Sequence, residues 1–296
     1  MATNPCQAVA SGSDVLAQIA SAIAALPSTG GRVDARGLKG TLTGATTVVV
    51  QKPVTLLLGA VQIQSSANPT FLIQATSNPP TTPISSLTVL GNDPNSSVIV
   101  AAQPNVTLFE LTGNIVPLTD YAGGETLTIK RCGLCGGNLG GNGGLAGTVM
   151  VNTQGYPATN FEQGLLLIED NLITNFGDTA LKIGASVNFN RIHRNEFLCN
   201  HQAVYLDTNT EASITENNFI MGPNAGPTLT VIGPMHRIVH NYFYRNSLSD
   251  PSNAPDILLL PATIGAGGYV WIEDKSLRRR TRELGPRQAA HQARRI

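Results

Sequence analysis

Along most of this chain, apolar and polar positions alternate in short runs bounded by turn formers. "TTVVVQ", "VTLLLG", "TFLIQA", "SLTVLG", "SVIVA", "VTLFEL" and "TLTIKR" are rich in β-favouring residues and are separated by Gly, Pro, Asn and Ser. One segment departs from this two-residue period. In "SDVLAQIASAIAAL" (13–26) the apolar residues Val15, Ile19, Ala22, Ile23 and Leu26 recur at helical spacing. Ser13 is the expected cap, and Pro27 with Gly30 and Gly31 the stop. The pattern predicts one amphipathic helix followed by strands and turns.

The strands are also periodic at longer range. "IEDNLI", "IHRNEF", "ITENNF" and "IVHNYF" share a frame of aliphatic residue, Asn three positions later and apolar residue five positions later. Their asparagines, Asn171, Asn195, Asn217 and Asn241, are 24, 22 and 24 residues apart. Upstream the units are longer. "TFLIQ" at 70 is matched by "TLFEL" at 107, an offset of 37, and "LTVLGN" at 87 by "LTIKRC" at 127, an offset of 40. Short strands repeating at 20 to 40 residues are the signature of a solenoid, in which each coil stacks on its neighbours.

That architecture explains the asparagines. Residues one repeat apart lie about 4.8 Å apart, so the four amides form a column in which each supplies the next with hydrogen bonds. The flanking Ile and Phe positions stack alongside, and Cys132 occupies the Asn position one repeat earlier. Just before each Asn stand Asp170, Arg194, Glu216 and His240. Alternating charge along that stripe predicts a solvated ion-pair ladder contributing a few tenths of a kcal/mol per pair.

Composition narrows the class further. Only 5% of the 296 residues are aromatic and 13% charged, and 42% are hydrophobic, so a globular β-protein is expected. No basic-then-apolar leader and no apolar run of about 20 residues is present, which predicts a soluble chain without an export signal or membrane partner. The formal charge is zero, but residues 275–296 hold eight of the nineteen Lys and Arg residues and one acid. Residues 1–274 therefore carry eleven basic against eighteen acidic groups. The predicted division is an extension at 1–12, one β-domain at 13–274 and a basic, disordered tail at 275–296 that does not make nucleic acid the expected partner. The four cysteines are too few and too scattered for a disulfide framework or a complete zinc site. "CGLC" (132–135) lacks a thioredoxin-like context, so its cysteines are expected to be structural.

Together these features resemble the right-handed parallel β-helix proteins of the pectin-lyase-like superfamily. "IASAIAALPSTGGRVDARG" is similar to their capping helix, stop and first strand, "KPVTLLLGA" to their early coil, and the asparagine column to theirs. The resemblance covers roughly residues 14–274. It implies an all-β solenoid with an N-terminal capping helix, a carbohydrate-directed role on a polysaccharide partner, an extracellular or cell-surface setting and, in some members, calcium. The superfamily spans lyases, hydrolases and passive surface proteins, so fold does not choose among them.

Candidate chemistry lies on the strands "DTALKIG", "HQAVYLD" and "PTLTVIG". Leu181/Ile183, Val204/Leu206 and Leu229/Val231 alternate inward, which predicts that Lys182, Tyr205 and Thr230 project outward in a column, with Asp178 and His201 just before them. Elimination on a uronate needs a base, a cation opposing the carboxylate and a proton donor. His201 or Lys182, with Asp178 orienting either, and Tyr205 supply those types as candidate catalytic residues. Asp207 and Thr230 are candidate substrate contacts. Hydrolysis needs two carboxylates about 5 to 10 Å apart, whereas Asp178 and Asp207 should be near 20 Å apart. No metal ligand set is evident, no cofactor is expected, and the chain reads as a monomer. A non-catalytic glycan-binding or adhesive surface domain is the alternative, and the Gly-rich "GGNLGGNGGLAG" (136–147) reads as a groove wall or insertion.

Overall fold

The computed structural model describes residues 14–74, 86–112, 126–137, 144–154, 166–185, 187–208, 210–222, 225–233, 235–245, 254–260 and 270–273. The extension at 1–12, the tail at 275–296 and the middle of the Gly-rich segment at 138–143 lie outside them.

The chain forms a parallel β-helix. Its strands fall into three all-parallel sheets, and consecutive strands belong to different sheets. Sheet 1 has nine strands, from Gly31–Ala35 to Val270–Glu273; sheet 2 has eight, from Gly40–Gly44 to Tyr242–Arg245; sheet 3 has eight, from Val48–Val50 to Ile257–Leu260. Eight coils of three strands are thus followed by the first strand of a ninth. Each strand buries alternate residues inward, and the inward stacks include Ile168, Ile192, Ile214 and Ile238, in register from coil to coil. Phe197, Phe219 and Phe243 stack beside them, ring centroids 4.8 and 5.0 Å apart, each pair worth about 0.5–1.5 kcal/mol beyond its buried area.

Helix α1 (Val15–Ala24) closes the first coil, burying Val15, Leu16, Ile19, Ala22 and Ile23. Its cap is Asp14 rather than Ser13. One Asp14 carboxylate oxygen accepts from the amides of Leu16 and Ala17, and the other accepts from the Ala45 amide and the Thr46 hydroxyl. The cap therefore also fastens the helix to the first coil, a double duty that a serine hydroxyl could not perform. Gly44 permits this approach, since a Cβ there would lie 2.5 Å from Leu16 Cγ. The helix stop needs Gly30, at φ +86°, where a Cβ would meet the Pro53 carbonyl at 1.9 Å.

The 40-residue offset is observed as Leu87 opposite Leu127. The 37-residue offset is corrected to 38, with Phe71 opposite Phe109 and Leu72 opposite Glu110. The sequence alignment had placed Phe71 against Leu108. A one-residue slip exchanges the two faces of a strand, and the observed register stacks Phe71 on Phe109 at 5.1 Å inside the coil while Glu110 points out.

The asparagine column lies at the corner between sheets 1 and 2. Asn171, Asn195, Asn217 and Asn241 are all buried. The Oδ1 of Asn195 accepts from both the backbone amide and the Nδ2 of Asn171, at 3.1 and 3.0 Å; Asn217 does the same for Asn195, and Asn241 for Asn217. Each Nδ2 also donates to a carbonyl of the preceding coil: Ile129, Ile168, Ile192 and Ile214 in turn. At the start of the column, the Cys132 amide donates to Asn171 Oδ1. A related arrangement stands at the corner between sheets 2 and 3, where Asn200 accepts from the Phe176 amide and donates to the Ile173 carbonyl.

Asn195→Val should remove the acceptor of two Asn171 donors and the donor to Ile168, costing on the order of 1–3 kcal/mol. Urea denaturation measures this as a lowered midpoint at unchanged slope. A second prediction concerns His236, inward on sheet 1, where neither ring nitrogen has a hydrogen-bond partner among the described residues. Burial pushes its imidazole down to about 4. The unfolded chain therefore takes up this proton first, near pH 6.5. The stability that the neutral ring preserves is complete above that pH and is lost as pH falls towards 4, by on the order of 3 kcal/mol. His236→Leu should flatten that part of the stability profile.

Candidate functional site

Sheet 3 carries the expected column. Lys182 is in register with Tyr205, and Tyr205 with Thr230, while Asn152 and Glu110 continue the stack on earlier coils. Thr179 lies opposite Gln202, so Asp178 and His201, one residue before each, are a single strand spacing apart. The Lys182 ammonium contacts Asp178 Oδ2 at 2.5 Å, and the Thr179 amide donates to Asp178 Oδ1 at 2.6 Å. Partial burial raises the Asp178 carboxyl, but these bonds from Lys182 and Thr179 outweigh it and hold the group below its ordinary value. Partial burial, reinforced by the charge of Asp207, pushes the Tyr205 phenol up.

The remaining candidates are less well placed for contact. Asp207 sits past the far end of its strand, where its amide donates to the Ile183 carbonyl and its carboxylate accepts from the Thr208 amide. Thr230 is only 5% exposed, and its hydroxyl accepts from Gln202 Nε2 at 2.6 Å. The outward position was read correctly, but neighbouring side chains cover it. Gln202, which sequence reasoning passed over, joins the two coils by also accepting from the Thr179 hydroxyl. His201 is exposed, and its ring lies against Gly226. The sheet 3 face thus brings Asp178, Lys182, His201 and Tyr205 onto neighbouring strands, with the charged pair already mutually satisfied.

The stripe at the asparagine corner is only partly the expected ladder. Asp170, Arg194, Glu216 and His240 all adopt the left-handed conformation, with φ between 52° and 58°. Arg194 grips Asp170 through two hydrogen bonds, at 2.7 and 3.1 Å, and also contacts Glu169, which itself pairs with Lys130 at 2.7 Å. These cations hold both carboxyls below their usual range, chiefly Lys130 for Glu169 and Arg194 for Asp170. Glu216 lies not against Arg194 but 3.8 Å from the His193 ring. The guanidinium fork reaches two acids on the preceding coil, and that drew it from the alternating order.

Beside this corner runs a groove of about 450 Å³, lined among others by Pro94, Asn95, Leu172, Glu196, Glu216 and Asn218, with the Asp170–Arg194 pair on its wall. Leu172, Glu196, Asn218 and Tyr242 form one outward column of sheet 2. Tyr242, half exposed, prolongs the column by one coil beyond the groove. Each of these residues directly follows a column asparagine. The signal was present in the repeat, but only the residue preceding each Asn was considered.

The segment 144–147 packs its backbone against the corner at Asn175–Gly177, where a Cβ on Gly144 would meet the Asn175 carbonyl at 1.6 Å. Among the described residues no group of three or more His, Cys, Asp or Glu is arranged to hold a metal ion, and no helix is long and apolar enough to cross a membrane. Comparisons of the chain with protein-family profiles, characterised proteins and solved structures find no match.

Cys132 and Cys135 are free and buried, as expected of structural residues. Burial pushes the Cys132 thiol up to about 12 and raises that of Cys135. Since the thiolate is the reactive form, iodoacetamide at pH 8 should alkylate neither in the native protein. Unfolding in urea should expose both, with site-resolved mass spectrometry as the readout.

Proposed function

We propose that this protein is a carbohydrate-directed β-helix that holds a polyhydroxyl chain in the groove beside its asparagine corner. The groove is the observation that supports this reading. Its carboxylates accept from sugar hydroxyls, its amides both donate and accept, and Tyr242 offers a ring for stacking where the groove ends. A trough running across several coils suits a linear ligand better than a compact one. The lining residues Leu172, Glu196 and Asn218 sit on paired strands of sheet 2, so their backbone is ordered before a ligand binds.

A second reading, elimination on an acidic polysaccharide, is favoured by the register of Lys182 and Tyr205 on adjacent strands. There the Lys182 charge would oppose the uronate carboxylate. His201 would take the C5 proton, the electron pair would form the C4–C5 double bond, and the C4–O bond would break as Tyr205 protonated the leaving oxygen.

Calorimetric titration with neutral and uronate oligosaccharides tests the first reading. Glu196→Gln and Tyr242→Ala should each weaken binding about five- to tenfold, and unchanged affinity in both would overturn the groove. The elimination reading requires an unsaturated product absorbing in the near ultraviolet, lost in both Lys182→Ala and His201→Ala. No such product from a panel of acidic polysaccharides, with and without calcium, would leave the binding role alone.

A further inference from the structure

We propose that this protein pairs end to end with a second copy of itself, the last strand of each sheet joining the partner's across a two-fold axis.

The two ends of the solenoid differ. At the first coil, helix α1 packs across the first strand of every sheet, Gly31–Ala35, Gly40–Gly44 and Val48–Val50, and covers the core between them. At the other end the last strands, Val270–Glu273 in sheet 1, Tyr242–Arg245 in sheet 2 and Ile257–Leu260 in sheet 3, are each paired on one side only among the described residues. Edge strands that stay solvated are usually guarded by lysine, proline or a bulge. These three strands contain neither lysine nor proline. Inward, Phe243, Ile257 and Ile272 end their stacks only partly buried, whereas Phe219, Leu229 and Ile238, in register one coil earlier, are at most 1% exposed.

The outer surface changes at the same level. Trp271 follows Arg237 in register, Tyr242 follows Asn218 and Leu258 follows Thr230, so each sheet exchanges a polar outward residue for an apolar or aromatic one. Of the six large apolar side chains exposed among the described residues, Tyr242, Tyr244, Leu260 and Trp271 lie on these three strands. Strands apolar on both faces belong where both faces are covered.

An extended peptide can add to one edge, but three edges around one open core are matched by another solenoid end of the same cross-section. A second copy supplies it. Turned about a two-fold axis, its last strands present the same unpaired amides and carbonyls running antiparallel, and the outward rings of the two copies become cross-strand neighbours. An aromatic side chain buries roughly 150–250 Å², so the three half-exposed rings supply on the order of 300 Å² of the roughly 800 Å² per partner in a standard interface. The open core and the edge strands supply the remainder. Head-to-tail stacking is closed off by α1, so assembly stops at two chains instead of growing into a fibre. The pair departs from the monomer expected of the sequence, and it requires neither the groove nor the sheet 3 face to bind anything.

Sedimentation equilibrium of the full chain should give twice the chain mass, falling towards the single mass on dilution. Small-angle X-ray scattering should give a rod about twice as long as eight coils, which span roughly 38 Å, at unchanged cross-section. Trp271→Glu/Leu260→Glu places charge on side chains already exposed in the single chain. It should raise the dissociation constant about tenfold or more and leave circular dichroism unchanged. Val49→Glu, at an exposed apolar residue of the sealed end, should leave the dissociation constant as it is. A single-chain mass at every concentration would overturn the proposal, as would a pair no longer than one solenoid or a series of higher multiples. So would a double variant that associates as tightly as the parent.

Discussion

Each coil of this protein must turn a corner between sheets 1 and 2 with its backbone buried, and buried amides and carbonyls without partners cost about 1–3 kcal/mol each. From the coil of Asn171 onward the asparagine ladder meets that constraint. The residue before each Asn is bent into the left-handed region, at a cost of roughly 1–2 kcal/mol for a side chain with a Cβ. The strain recurs at Asp170, Arg194, Glu216 and His240. It is tolerated because the next residue places one amide where it serves two coils at once. Its oxygen accepts from the corner of the preceding coil, and its nitrogen reaches a carbonyl at the end of that coil's sheet 1 strand.

The exterior follows from the same corner. Because the turn is held so tightly, the residues on either side of each Asn have little choice of direction. The one before stands at the turn itself, where Asp170 and Arg194 pair across two coils; the one after opens sheet 2, and Leu172, Glu196 and Asn218 line the groove. Sheet 1, approaching the corner, presents Arg191 and Arg237 on its outer surface, and sheet 3, beyond the next corner, presents Lys182 and Tyr205. Three faces with different chemistry are produced by one repeated inner solution.

The inner solution was legible because it repeats. Spacings of 24, 22 and 24 residues leave few ways to stack the asparagines other than as a column, and the Ile and Phe positions follow from strand alternation. Where the repeat loosens, legibility fails by small amounts with large effect. "TFLIQ" and "TLFEL" align plausibly at 37 residues, yet the partner of Phe71 is Phe109, because ring stacking inside the coil outweighs textual similarity. Side-chain reach was less legible still. Nothing in the local pattern announces that Asp14 would bind two segments, that Gln202 would take up the Thr230 hydroxyl, or that Arg194 would turn to two acids on the preceding coil. Those outcomes depend on distances between coils that spacing fixes only for the backbone.

The ladder is also directional. Every Oδ1 accepts from the coil before it, and every Nδ2 reaches back to a carbonyl of that same coil, so a coil arrives with the groups that complete its predecessor and leaves its own donors for its successor. A stretch of one repeat length, duplicated within the chain, would bring a new asparagine already equipped for both neighbours. The fold thereby carries its own rule of extension. Such a molecule can change length by whole coils while its cross-section stays the same, and the surfaces it displays can diversify one rung at a time.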